Sequence, residues 1–111
     1  MEGLEIPSKV KEALEELVEN LERALGRDYE LYLFGSYARG DWVIGLSDVD
    51  IIVVSPKFRG IAFVERAAAV RRLTRSDVPF EILCYTPEEF NRLLESNSFI
   101  KEVSTYWIRV H

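Results

Sequence analysis

From Val10 to Leu21 apolar side chains recur at spacings of three and four, at Val10, Leu14, Leu17 and Leu21. Glu12, Glu15, Glu16, Glu19 and Glu22 take the positions between and around them. A single apolar stripe against a glutamate-rich remainder predicts an amphipathic helix with a solvated acidic face. Ser8 is placed to cap its start and Gly26 to end it. The pattern then changes period. Residues 30–34, 48–54 and 79–85 are short runs rich in β-branched and aromatic residues, and they predict strands. A second helix is predicted from Ile61 to Leu73, with Phe63, Ala67 and Val70 inward and Pro79 after the loop that ends it. Thr86-Pro87-Glu88-Glu89 is a helix start: Thr86 as N-cap, Pro87 at the first position, Glu89 closing a capping box, and Phe90, Leu93 and Leu94 as the packing face. Residues 98–109 suit a last short helix or strand. Strands alternating with helices predict an α/β (α+β) fold, a mixed β-sheet with helices packed on it. No internal repeat, linker or low-complexity tract interrupts the pattern, so one domain over residues 1–111 is expected.

Composition narrows the class. A chain of 111 residues leaves room for a genuine but modest core. No apolar run approaches membrane-spanning length, and Met1-Glu2-Gly3-Leu4-Glu5 is unlike a signal peptide, so no membrane association and a cytoplasmic location are expected. Cys84 is the only cysteine and falls on the apolar face of a predicted strand, which suits a small buried hydrophobe better than a nucleophile. With His111 the only histidine, a zinc site is not expected. The net charge of −5 argues against direct nucleic-acid binding. Basic residues do cluster at Lys57, Arg59, Arg66, Arg71, Arg72 and Arg75, with only Glu65 among them before Asp77. That run either steers an acidic ligand or forms a solvated face balancing the acidic first helix, and the second reading is the simpler.

Residues 35–50 carry the chemistry. Asp48 and Asp50 open the run Ile51-Ile52-Val53-Val54, the mark of a buried central strand. Side chains two apart on a strand share a face, so Asp48 and Asp50 stand side by side while Val49, Ile51 and Val53 point the other way. Carboxylates that close repel unless a cation or protons neutralise them. A hard divalent ion with oxygen ligands, typically Mg²⁺ completed by substrate phosphates, meets that need. The plainer alternative is a hydrated strand start, with Ser47 capping a turn. Upstream, Leu31-Tyr32-Leu33-Phe34 runs directly into Gly35-Ser36, and Tyr37-Ala38-Arg39 can begin a helical turn. Such a turn exposes backbone N–H groups to a phosphate and adds a hydroxyl, although an ordinary strand-to-helix connection has the same form. The Lys-[Ser/Thr] ending of a P-loop is missing. Arg39 lies where it can reach a triphosphate, or it is a surface arginine.

Taken together, Gly35-Ser36 and Asp48-Val49-Asp50 resemble the signature of the DNA polymerase β-like nucleotidyltransferase superfamily, and Ala38-Arg39-Gly40 and Ser47 also match its small members. Residues 37–47 form a slightly longer spacer than the superfamily's usual one, read as a longer loop around Trp42 to Gly45. The resemblance implies the polymerase β-like fold, ATP as substrate, two Mg²⁺ ions, and nucleotide contacts from Gly35, Ser36, Arg39 and Ser47. It also implies a third carboxylate on a neighbouring strand. Glu81 is the candidate, as a ligand beside Asp48 and Asp50 and as a group that helps deprotonate the attacking hydroxyl. An edge-strand glutamate facing water is the alternative, and Asp77, beside Ser76, reads as turn chemistry. Polymerases and tRNA-modifying enzymes of the superfamily add domains for which this length leaves no room. What remains resembles the stand-alone minimal nucleotidyltransferase (MNT) domain of MntA-like antitoxin type, paired with helical HEPN-domain toxins. That likeness implies transfer of AMP from ATP to a partner hydroxyl, with a tyrosine favoured. Other readings stay open. One is a non-catalytic nucleotide- or partner-binding module, anchored by aromatics such as Tyr37, Trp42, Tyr106 and Trp107. Another is a small-molecule nucleotidyltransferase such as those acting on aminoglycosides, for which a homodimer could supply the missing second domain.

Overall fold

A computed structural model describes residues 5–111 of the chain. The stretch Met1 to Leu4, most of the segment read above as unlike a signal peptide, lies outside the described residues. Helix α1 (Ser8–Leu25) leads into β1 (Glu30–Phe34), then a one-turn helix α2 (Ser36–Arg39), β2 (Val49–Val54), α3 (Phe63–Arg71), β3 (Phe80–Tyr85), α4 (Pro87–Ser96), α5 (Ser98–Ser104) and β4 (Ile108–Arg109). The four strands form one mixed sheet in the order β3-β2-β1-β4. Strand β1 is antiparallel to both neighbours and β2 runs parallel to β3, so the expected α+β architecture with a mixed sheet is what forms. No helix among the described residues is long and apolar enough to cross a membrane.

The two-residue side-chain alternation of the strands separates two apolar clusters. On one face Leu31, Leu33, Val49, Ile51, Val53, Phe80, Ile82 and Cys84 meet the stripe of α1 and Val70 of α3. On the other, Tyr32, Phe34, Ile52 and Val54 meet Phe90 of α4 and Ile100 and Val103 of α5, with Trp107 packed against them. Trp107 stacks on Tyr32 at 4.1 Å between centroids and on Phe90 at 5.7 Å.

Local signals explain most boundaries. The capping box forms as expected: the Glu89 N–H donates to Thr86 Oγ1 at 3.2 Å and the Thr86 N–H to Glu89 Oε1 at 2.8 Å. Asn97 accepts from the Ile100 N–H and starts α5. Gly26 ends α1 at φ 75°, its N–H bonded to the Glu22 carbonyl. Ser8, by contrast, is not the cap; Pro7 holds that position, with no side-chain bond. The second helix is shorter than expected. Val70 is buried and Ala67 packs against the core as expected, but Phe63 is 44% exposed and Arg66 is buried. Its guanidinium donates to the Ile61 and Cys84 carbonyls and pairs with Glu89 at 2.6 Å, which joins α3 to the start of α4. A buried charge is tolerable when its donors are matched in this way.

Most of the basic run is likewise engaged in structural pairs. Arg59 forms a two-pronged pair with Glu88, Arg71 donates to the Phe80 carbonyl, and Arg75 bridges Glu12 and Glu16 of α1 to Asp77. Asp77 also meets Lys9, in keeping with its reading as turn chemistry. The Cys84 thiol is pushed up to about 12 by burial, so it is an inert core group.

Candidate functional site

Strand register brings the predicted acids to one end of the sheet. Phe34 lies opposite Asp50 across the β1–β2 pair, and Asp50 lies opposite Glu81 across the β2–β3 pair. The three form a row on the face that α4 and α5 only partly cover. Their backbone is pinned at the row's edge, where the Val49 N–H donates to the Pro79 carbonyl at 2.8 Å and Arg71 holds the Phe80 carbonyl. Asp48 falls just before β2 rather than within it and is exposed, though the alternation still places it on the side of Asp50.

Gly35 closes the other side of this row. It follows Phe34 at φ 73°, a backbone conformation that an L side chain rarely adopts, and a β-carbon there would overlap the Asp50 carboxylate. The backbone of the Gly-Ser turn and the Asp50 carboxylate are therefore in direct apposition. Ser36 opens α2, and the Arg39 guanidinium reaches back over the turn, where Nη1 donates to Tyr106 Oη at 3.0 Å and Nε to Asp41 at 3.4 Å. The Gly35 N–H donates to that same Tyr106 oxygen at 3.2 Å.

Electrostatics mark Asp50 as the focus. Burial first, then the negative charges of Glu81 and Asp48, push its carboxyl up to about 6, with Arg39 acting in the opposite sense. Among the described residues no three His, Cys, Asp or Glu side chains converge as a preformed metal-holding group. The donor set is nonetheless all carboxylate oxygen, and the mutual repulsion at Asp50 is what a hard cation would relieve, so these residues fit Mg²⁺. A cleft of about 440 Å³ opens at the row, lined by Phe34, Asp50, Glu81, Leu83, Tyr85 and Phe99. Phe99 meets Phe34 edge-on at 5.7 Å. A second cavity, of about 410 Å³, lies between α1 and the loop before β2; its one acid is Asp77, already paired.

The Ser47 hydroxyl accepts from the Val43 N–H at 2.9 Å and closes the longer loop on itself. Tyr37, named above as an interface anchor of the binding-module reading, is a packed residue, its hydroxyl directed at the Ser47 carbonyl and its ring stacked with Trp42 at 5.8 Å. The exposed apolar residues of this region are Val43, Ile44 and Leu46 instead. Phe99 and Tyr106 are the site residues that sequence reasoning did not place there. Tyr106 lies 71 positions from Gly35, and no local pattern links the two.

Comparison with known proteins agrees with this geometry. A family model described as a nucleotidyltransferase domain matches residues 8–106. A solved candidate nucleotidyltransferase from Sulfolobus solfataricus is 26% identical over 83% of this chain and 85% of its own, with a TM-score of 0.52. Another candidate nucleotidyltransferase of known structure is 28% identical over 95% of this chain and 100% of its own, with a TM-score of 0.51. No functionally curated protein matches the chain.

Proposed function

Because the chain belongs to the family of nucleotidyltransferase domains, we propose that it transfers AMP from ATP to a hydroxyl of a protein partner in a Mg²⁺-dependent reaction. The observation that carries this reading is the row of Asp50 and Glu81 set directly against the backbone of Gly35. The Gly35 N–H, Ser36 and Arg39 hold the triphosphate end of the nucleotide. Asp48, Asp50 and Glu81 are the residues that would hold Mg²⁺, which when bound neutralises phosphate charge and polarises the phosphoryl group. Glu81, exposed at the cleft mouth, orients the acceptor hydroxyl and takes its proton as that oxygen attacks the α-phosphorus. The bond to the leaving pyrophosphate then breaks in line.

The partner, on resemblance, is a helical HEPN-type toxin whose tyrosine accepts AMP, which makes this chain an antitoxin of the cytoplasm. Aromatic cleft walls from Phe34, Tyr85 and Phe99 suit a planar acceptor side chain. Incubation with ATP, Mg²⁺ and the product of an adjacent gene, followed by intact-protein mass spectrometry, tests the reading: the partner should gain one or more AMP masses. Asp48→Ala and Asp50→Ala should abolish the gain while the fold persists; retained transfer would remove both aspartates from the mechanism. A second reading is favoured by one feature, the apolar loop before Asp48, where Ile44 is 73% and Leu46 81% exposed. It makes the domain a module that neutralises its partner by contact. Tight partner binding with no mass gain and no Mg²⁺-dependent ATP binding is the outcome that selects it.

A further inference from the structure

Tyr106 connects the C-terminal segment to the nucleotide turn through a single atom. Its hydroxyl oxygen accepts from the Gly35 N–H at 3.2 Å and from Arg39 Nη1 at 3.0 Å, and the Arg39 guanidinium lies over its ring at 5.4 Å. These are two of the donors assigned above to the triphosphate. A phosphate oxygen carries more negative charge than a phenol oxygen and is the better acceptor for both. One N–H directed at Tyr106 is not also available to a phosphate. We propose that Tyr106 gates the phosphate end of the nucleotide site: its hydroxyl stands where a triphosphate oxygen binds, and the tyrosine contact and bound nucleotide exclude each other. The inference rests on the nucleotide reading of Gly35 and Arg39.

The surroundings of Tyr106 fit a side chain that can leave. It follows the last turn of α5, where the Tyr106 and Trp107 N–H groups both donate to the Val103 carbonyl. Trp107 is fixed by its stacking on Tyr32 and Phe90, and β4 is paired to β1 through Ile108 and Arg109. The backbone on both sides is thus held. Tyr106 itself is only half-buried, and the two hydrogen bonds its hydroxyl makes are the two it would surrender. Its ring packs against the edge of the second apolar cluster, so a shift that withdraws the hydroxyl from Gly35 and Arg39 is what opens the turn. Closure by the hydroxyl lowers the apparent nucleotide affinity by the fraction of molecules in which the turn is open.

The test is calorimetric titration of the full chain and its Tyr106→Phe variant with ATP in Mg²⁺, and separately with adenosine. Phenylalanine keeps the ring and removes the competing oxygen. The variant should bind ATP roughly threefold to tenfold more tightly, bind adenosine as the parent does, and in the ligand-free state exchange its Gly35 amide hydrogen faster. Equal or weaker ATP binding by the variant overturns the gate and leaves the nucleotide site standing, with Tyr106 then a packing group or a ligand contact. An unchanged Gly35 exchange rate also overturns it. If neither protein binds ATP, the nucleotide reading itself fails and the gate fails with it.

Discussion

Asp50 and Ile51 are neighbours on β2 and face opposite ways, into two differently finished sides of one sheet. Ile51 is wholly buried in the cluster that α1 closes, where every position along the strand is apolar and covered. Asp50 faces the side where α4 and α5 cover Ile52 and Val54 but stop short of the strand's beginning. Coverage that stops early leaves a partly desolvated cleft, and the charge placed in it is costly. The lesson is that one strand can serve packing on one face and leave the other for chemistry, because the backbone between them insulates the two faces.

The comparison breaks most visibly at Ile51. Ile51→Ala should lower stability by about 2–5 kcal/mol, the cost of a cavity in a core with no room to relax. Urea denaturation measures it, and Mg²⁺-dependent ATP binding of the folded fraction should be unchanged. A loss of binding comparable to that from Asp50 substitutions would mean that the two faces are not insulated.

Its neighbour should respond with the opposite sign. Asp50→Asn should reduce transfer by ~10²–10³-fold, as expected when one group stabilising developing charge is removed. Yet it should make the metal-free protein more stable above pH 6. A carboxyl raised from 3.8 to about 6 on folding binds its proton more tightly in the folded chain than in the unfolded one. Its stabilising contribution is therefore full below about pH 4 and is lost as pH rises through 6. Discounted for the water that still reaches the group, the penalty at pH 8 is about 1–2 kcal/mol. The parent's stability in EDTA should fall across that window relative to Asp50→Asn; parallel pH profiles would show that the repulsion is absent.

Gly35 sets how tightly the two sides meet. Gly35→Ala places a β-carbon against the Asp50 carboxylate at a positive φ, and should cost about 1–3 kcal/mol. Part of that cost comes from the clash, so the double variant with Asp50→Ala should recover stability beyond the sum of the single changes. Strict additivity in thermal denaturation would separate the glycine from the aspartate.

How much of this was legible beforehand follows from the range of each interaction. Strand β1 could be placed to the residue, because an apolar run ending at glycine is a local signal. The α4 capping box is contained in four consecutive residues and was equally plain. Arg66 was not, since a charged residue is buried only if remote partners meet it, and Glu89 lies 23 positions away. The carboxylate pair could be nominated from its spacing, and Glu81 from resemblance and strand alternation. Their register became definite only when β2 and β3 paired. Tyr106 and Phe99 reach the site by way of α5, whose placement depends on the whole second apolar cluster.

The smallest effect expected on stability concerns the loop between Gly40 and Asp48. Its apolar tip is held rather than free: Trp42 Nε1 donates to the Glu5 carbonyl at 3.2 Å, and the Leu46 and Ser47 N–H groups both return to the Val43 carbonyl. An ordered loop that presents Val43, Ile44 and Leu46 to water gains nothing from them within this chain. Leu46→Ser, at a side chain 81% exposed, should therefore leave stability within about 0.5 kcal/mol. It should also leave ATP binding intact, because Gly35, Asp50 and Glu81 are untouched. If the loop is the lip against which a protein acceptor seats, the same substitution should slow transfer to that acceptor by raising its KM with little change in kcat. A stability loss above 1 kcal/mol would instead make Leu46 a packing residue, and would move the partner-facing surface away from this loop.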